Sequence, residues 1–260
     1  MVEMNIKDYP VLVLFGGWGR EQIILRMHSA GCQVAAVITP YRVSAKLETS
    51  IEHFRQSGIR VVACEKANLQ SILSEFSHCV LLSVGFPYLL SREILQKFIV
   101  CLNVHPTLLP RYRGPSSGSY ILIDNEKESG STVHVIDEGM DTGPIVLQRK
   151  VSLTRFDTIR SLQKKVYSIE PQLVLDALAL LREPGFHPTP QDEANATVYS
   201  KKRKPEDSEV DPNKTVLQLF DCIRACDSDE FPAFFYLEGQ KVCIRLWRLE
   251  RPESDDPQSL

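Results

Sequence analysis

Cationic excess is missing from this chain of 260 residues: 30 Lys and Arg stand against 33 Asp and Glu, a formal net charge of −3. Nucleic-acid binders usually carry a basic domain or stripe, so the balance argues against such a partner without excluding a local basic run. Cysteine is thin and unpaired. The seven residues are scattered without a CxxC pair, which disfavours a zinc site or a disulfide frame and fits reduced thiols in a cytoplasm. Long apolar runs are lacking too. The longest, CVLLSV at Cys79 to Val84, is far below the ~18 residues that suggest a membrane span. The opening MVEMNIKDYP has no apolar stretch behind a basic one, so it does not read as a secretory leader. Only 13 glycines and no sustained heptads exclude collagen and coiled coil. With 43% hydrophobic and 24% charged residues, the chain has the composition of one or two globular domains.

The first half alternates strand and helix. Val11 to Phe15 is a continuous apolar run ending at Gly16 and Gly17, as expected of a strand covered on both faces. Helix from Glu21 to Ser29, strand from Val34 to Ile38, helix from Ser44 to Ser57 and strand from Arg60 to Ala63 follow. Helix from Leu69 to Phe76 and strand from Cys79 to Val84 complete the series. Such repetition predicts an α/β fold with a parallel-rich central sheet and right-handed crossovers. Gly16, Gly17 and Gly19 miss the GxGxxG spacing, and Thr39 and Pro40 stand where an acidic residue should end the second strand. A tight strand-to-helix turn, or an anion site at the helix N-terminus, is the remaining reading.

Beyond Leu102 the pattern loosens. Asn103-Val104-His105 continues a strand, and HPTLLPRYRGPSSG reads as a structured loop. Strands are expected at Thr132 to Ile136 and Ile145 to Val151, then a helix from Phe156 to Leu181 interrupted by Pro171. Residues 1–200 thus read as one domain, 201–213 as a charged linker, and 214–252 as a small subdomain. The subdomain holds a helix and a β-hairpin around Glu238-Gly239-Gln240. Residues 253–260 read as a disordered acidic tail.

Three polar residues stand out. Asn103 and His105 lie two apart on a strand and so point to one face, and His105 ends that strand, where open α/β sheets bind ligands. Asp141 sits in the loop DEGMDTG. Asn offers a donor to a developing oxyanion, His a proton site near neutral pH, and Asp an orienting carboxylate, a set suited to acyl transfer. A satisfied strand-end His and a turn Asp are the plainer alternative.

The text around them is more specific. LNVHPTLLPRYRG followed by STVHVIDEGMDTGPIV resembles the folate-dependent formyltransferase family. That family includes glycinamide ribonucleotide transformylase, methionyl-tRNA formyltransferase and the sugar-nucleotide N-formyltransferases. The likeness covers residues 9 to 190 and continues weakly through KKRKPEDSEVD. It implies a Rossmann-like domain using formyl-tetrahydrofolate as cosubstrate and no metal. Asn103, His105 and Asp141 fall on the family's catalytic positions. There Asn103 and protonated His105 would stabilise the oxygen of a tetrahedral intermediate formed by amine attack. Asp141 would hold His105 and help move the amine proton. The segment SVGFPYLLS matches the family's pterin groove, which implies that Phe86, Tyr88, Leu89 and Leu90 frame the pterin. The loop residues Asp137, Gly139 and Met140 would read its polar edge. FGGWGREQ departs from the tRNA enzyme's first loop and could serve a nucleotide, with Trp18 stacking and Arg20 holding phosphate; a surface Trp and a solvated Arg are the plainer reading. Arg111 and Arg113 join them as acceptor-binding candidates.

Among acceptors, the resemblance favours a nucleotide-linked amino sugar, such as a 4-amino-4,6-dideoxyhexose for O-antigen or lipopolysaccharide synthesis in the cytoplasm. Methionyl-tRNA ranks lower because about 50 residues after Asp211 are few for the tRNA enzyme's C-terminal barrel, glycinamide ribonucleotide because that branch of the family usually lacks this extension, and hydroxyornithine- or peptide-type amines rank lower too. A folate-binding pseudoenzyme is the non-catalytic alternative. The apolar segments FPAFFY and VCIRLW exceed what a lone hairpin can bury. They are expected to pair two chains as a homodimer around Phe235 and Trp247, or else to pack on the catalytic domain.

Overall fold

Strands without a polar face need cover on both sides, and the computed structural model shows it; residues 9–17, 19–42, 44–250 and 260 are described. Five strands run parallel: β1 (Val11–Phe15), β2 (Val34–Pro40), β3 (Val61–Cys64), β4 (Val80–Val84) and β5 (Val100–His105). β6 (Glu128–Val135) is antiparallel to β5, and β7 (Ile145–Ser152) completes a seven-stranded sheet of order β3-β2-β1-β4-β5-β6-β7. The order reverses between β1 and β4, the position at which such sheets open a crevice.

The chain divides into two compact units that interleave along the sequence. The first comprises Met1–His105, Ser131–Arg149 and Ile169–Asp192. Its sheet carries two apolar layers. Val11, Val13, Phe15, Val37, Leu82, Leu102 and Val104 face helices α1 (Gln22–Ser29) and α2 (Ala45–Gln56) and the later part of α6 (Ile159–Leu180). Leu12, Leu14, Ile38, Leu81 and Cys101 belong to the opposite layer, with α3 (Leu69–Ser74) and α4 (Arg92–Leu95). β5 alternates between them, so Asn103 and His105 share the Cys101 side of the strand. Ser44 caps α2 by accepting the Leu47 amide at 3.3 Å. At the end of β1 the chain passes so close to the next crossover that a Cβ on Gly16 would lie 1.8 Å from the Gly85 oxygen. Gly16 therefore serves the tight turn.

The second unit comprises Pro106–Gly130, Lys150–Ser168 and Glu193–Leu260. Tyr112, Ile121, Leu122, Leu153, Leu162 and Val166 form one of its cores, around α5 (Ser117–Ile123). Leu219 and Ile223 of α7 (Val216–Arg224) join Val210 and Ala233 in another. The hairpin pairs β8 (Ala233–Leu237) with β9 (Gln240–Ile244), Phe235 opposite Val242. Charge holds much of this unit. Arg224, 2% exposed, pairs with Asp221 at 2.7 Å and donates to the carbonyls of Asp157 and Leu122 at 3.0 Å each. Arg160 bridges Asp227 and Asp229, at 2.6 and 2.5 Å.

Several expectations change. The units do not divide at residue 200; segments 106–130 and 150–168 belong with the C-terminal part. The 201–213 segment is no free linker: Val210 is buried and its amide donates to the Phe234 oxygen at 2.8 Å. Helix α6 runs through Pro171 rather than breaking there. A proline forgoes one ladder bond, and Leu173, Val174, Ala177 and Leu178, buried in the core, hold the turns that follow. Helix α5 begins at the end of the segment read as loop, and α4 lies in a stretch given no helix or strand. The tail residues 251–259 fall outside the described residues, while the Leu260 amide donates to the Phe156 oxygen at 2.8 Å.

Candidate active site

The antiparallel register sets Asn103 opposite His134 and His105 opposite Thr132. Pairing alone thus brings a second histidine to the strand end. Asp141 arrives from the loop between β6 and β7. Its carboxylate lies 3.4 Å from His105 Nδ1 and 3.5 Å from His134 Nε2, and it accepts from Asn103 Nδ2 at 3.3 Å. Asn103 Nδ2 is also 3.2 Å from His134 Nε2. The Val135 carbonyl, 2.9 Å from His134 Nδ1, can only accept, so Nδ1 carries the proton and a neutral ring presents Nε2 as acceptor to Asn103. The side chains of His105 and His134 are 8% and 3% exposed, and that of Asp141 is 17% exposed. The cluster is largely withdrawn from water but reachable at Asp141.

The Asp141 loop is built to stay put. Asp137 Oδ1 accepts from the Gly139 amide at 3.1 Å and from the Thr142 hydroxyl at 2.6 Å. Gln191 Nε2 donates to the carbonyls of Asp141 and Gly143, at 2.8 and 2.7 Å. Asp141 holds a left-handed φ of 55°, a conformation Asp tolerates better than most residues. A Cβ on Gly143 would sit 1.8 Å from the Val135 oxygen. The loop can therefore close back on β6 only with glycine there.

Two residues of this arrangement escape a reading of the sequence. His134 lies inside the STVHVI segment, and only the register of β6 on β5 reveals it as Asn103's partner. Gln191 lies fifty residues beyond Asp141 and leaves no local signal.

The other candidates divide. Phe86, Tyr88 and Leu90 are partly buried against the second apolar layer, with the Phe86 and Tyr88 rings edge to face at 5.3 Å. Leu89 is 92% exposed, so its side chain points away from that wall. Met140 is 42% exposed on the loop. Arg20 does not wait for a phosphate: it is 4% exposed, and its guanidinium grips Glu170 through Nε and Nη2 at 2.7 Å each. Arg113 is 2% exposed and bidentate to Glu193, at 2.9 and 2.6 Å. That hydrogen-bonded guanidinium holds the Glu193 carboxyl below its usual range. Both arginines are committed inside the protein, because a buried guanidinium requires a partner. Arg111 is half-exposed, pairs with Glu126 and stacks on the Tyr112 ring at 5.2 Å. Burial, with Glu126 and Asp124 beside it, pushes the Tyr112 phenol well above its usual range. Trp18 lies outside the described residues. Among the described residues, no group of three or more His, Cys, Asp or Glu is placed to hold a metal. No helix among them is long and apolar enough to cross a membrane.

A mostly parallel sheet with helices on both faces, and a polar cluster where β5 meets a glycine-closed loop, defines a Rossmann-like α/β protein. Residues 21–178 match the family described as formyl transferase, and the chain belongs to that family. It is similar to the methionyl-tRNA formyltransferase of Thermodesulfovibrio yellowstonii, 31% identical over 178 residues, covering 68% of this chain and 55% of that one. The chain spans about half the length of the curated relatives it matches. In structure it resembles a 4-N formyltransferase from Francisella tularensis, with TM-score 0.77, 20% identity and coverage of 94% of this chain and 99% of that one. It also resembles an N-formyltransferase from Helicobacter canadensis in complex with folinic acid and dTDP-3-aminofucose, with TM-score 0.69, 20% identity and coverage of 90% and 86%.

Proposed function

We propose that this protein transfers a formyl group from formyl-tetrahydrofolate to the amine of a nucleotide-linked amino sugar. The observation that carries the reading is the convergence of Asn103, His105 and Asp141 within 3.4 Å at the end of β5. Formyl-tetrahydrofolate supplies an activated formyl group. Phe86, Tyr88 and Leu90 fit its pterin: they make a partly open apolar wall, and the Asp137 to Met140 loop offers backbone groups to a polar edge. Asn103 Nδ2 and a protonated His105 donate to the oxygen on which negative charge develops. Asp141 favours that protonated form, orients the ring, and is open enough to pass the acceptor's proton to water. The contacts among the three groups, at 3.3 to 3.4 Å, have the looseness common before substrate draws such groups together.

For the acceptor, the likeness to the Helicobacter enzyme, solved with dTDP-3-aminofucose, supports a sugar nucleotide. The named methionyl-tRNA relatives support the second reading, initiator tRNA. The test mixes the purified protein with formyl-tetrahydrofolate and, in turn, dTDP- and UDP-linked amino sugars and methionyl-tRNA, and follows tetrahydrofolate release. Release with an amino sugar nucleotide alone is the expected result. Release with tRNA alone replaces the acceptor, and release with none of a broad panel removes the enzymatic reading. The rate is expected to rise with pH as the amine loses its proton and then to level or fall as His105 loses its own.

We also propose that the protein works in the cytoplasm and that the hairpin pairs two chains. Phe231, Tyr236, Leu237 and Trp247 are 49%, 53%, 59% and 75% exposed, while Phe235 is partly buried against the hairpin's own core. A dimeric mass by light scattering at micromolar concentration is expected, and Trp247→Glu should shift it toward monomer.

A further inference from the structure

The ladder between β4 and β5 ends at Ser83 opposite Asn103. Val104 and His105, the last two residues of β5, lie beyond it. The β6 ladder still pairs both, His105 with Thr132, and side chains reach their carbonyls besides. Arg20 Nη2 donates to the Val104 oxygen at 3.0 Å. Ser131 Oγ shares its one hydrogen between the His105 oxygen at 3.0 Å and Glu170 Oε1 at 2.8 Å. Glu170 closes the circuit on Arg20 with two bonds of 2.7 Å. Glu170 and Ser131 are fully buried. Three side chains from three distant stretches therefore meet under the strand end that bears His105, and the charge on Glu170 is matched by that on Arg20.

An ion pair shut away from water is an expensive way to add stability, since apolar side chains of like volume often serve as well. What the pair does that apolar side chains cannot is hold the Val104 oxygen directly and seat the Ser131 hydroxyl against the His105 oxygen. The direction matters because His105 Nδ1 lies 3.4 Å from Asp141, and a small rotation of the residue would open that distance. We infer that Arg20, Glu170 and Ser131 are positioning residues for His105: together they anchor the last two carbonyls of β5 and so hold the imidazole on Asp141. The inference rests on His105 being the proton-bearing group of the proposed transfer, but the placement itself can be examined without any acceptor.

Ser131→Ala is the discriminating variant. It deletes the hydroxyl that lies against both the His105 carbonyl and Glu170, adds no volume and keeps both members of the Arg20–Glu170 pair. Arg20→Lys is the second variant, because lysine cannot hold Glu170 through two nitrogens while also reaching Val104. The first readout is the nitrogen-15 spectrum of the histidine side chains in ligand-free protein, with His105 assigned from His105→Ala. The His105 resonances are expected to move in Ser131→Ala and further in Arg20→Lys, while those of the distant His53 stay in place. Unmoved His105 resonances in both folded variants overturn the inference, whatever the protein acts on. The second readout is formyl transfer. Ser131→Ala is expected to lower kcat roughly tenfold with KM kept, an effect on transition-state geometry rather than on binding. The same substitution in a His105→Ala background is expected to change the residual rate by less than about twofold, as coupled residues do. An equal loss in both backgrounds would mark Ser131 as merely structural. If the wild-type protein transfers no formyl group, the proposed activity falls, and the spectra still judge the positioning.

Discussion

The two units of this chain hold themselves together by different means. In the first, long apolar strands lie between two helical layers, and the buried ion pair Arg20–Glu170 sits under the polar cluster. In the second, the cores are smaller, and arginines and aspartates tie the segments: Arg224 to Asp221, Arg160 to Asp227 and Asp229, Lys165 to Asp157. The contrast teaches where chemistry can be placed. A unit whose fold rests on apolar burial can spare one strand end for a cluster of polar residues.

The largest expected effect tests that division directly. Asn103→Ala or His105→Ala should lower formyl transfer by about a hundredfold to a thousandfold while the melting temperature stays within a few degrees. Parallel losses of fold and rate would contradict it. Next comes Arg224→Met, which removes the buried partner of Asp221 and one donor from each of two carbonyls. It is expected to cost ~3 kcal/mol, the scale for removing one partner of a buried charge pair, read as a lower urea midpoint. A cost below ~1 kcal/mol would mean that water replaces the guanidinium.

A milder break is made with acid. Burial alone would raise the Asp157 carboxyl, but the Lys165 ammonium, the Thr154 amide and the Ser161 hydroxyl outweigh it and hold it below its usual range. A depressed carboxyl contributes its stability in full above the unfolded value near ~3.9. That contribution is lost as pH falls through the folded value. The urea midpoint should therefore drop between about pH 4 and lower pH, and Asp157→Asn should flatten that part of the curve. The smallest effect is chemical. Burial pushes the Cys101 thiol up to about 12, whereas Cys243 is exposed. A brief thiol label near neutral pH should modify Cys243 and spare Cys101, with little change in stability.

How much of this was legible follows the same contrast. The runs VLVLF, VAAVI and CVLLSV announce strands because a strand buried on both faces has to be apolar throughout. Asn103 and His105 announce themselves because strand periodicity places them together at a strand end. Partnerships across sequence distance leave no such trace. Arg20 looks like a phosphate ligand in GGWGREQ until Glu170, 150 residues away, is seen to claim it. Arg113 likewise belongs to Glu193. Helix α5 begins inside a proline- and glycine-rich stretch that reads as loop, and α4 is a single turn; neither has enough periodic residues to register.

The hexapeptide VCLNVH of β5 carries two messages in one reading frame. Val100, Leu102 and Val104 satisfy one apolar layer, and the residues between them, Cys101, Asn103 and His105, fall on the other side. A shift of one residue would exchange the two sets, because side chains alternate faces along a strand. Deleting a single residue between Gln96 and Ile99 would then drive an amide and an imidazole into the core and turn leucine and valine toward Asp141. The packing of Leu102 and Val104 thus sets the face that Asn103 and His105 present. Point substitutions at Asn103 and His105 leave that packing in place, whereas a change in the length of the preceding crossover does not.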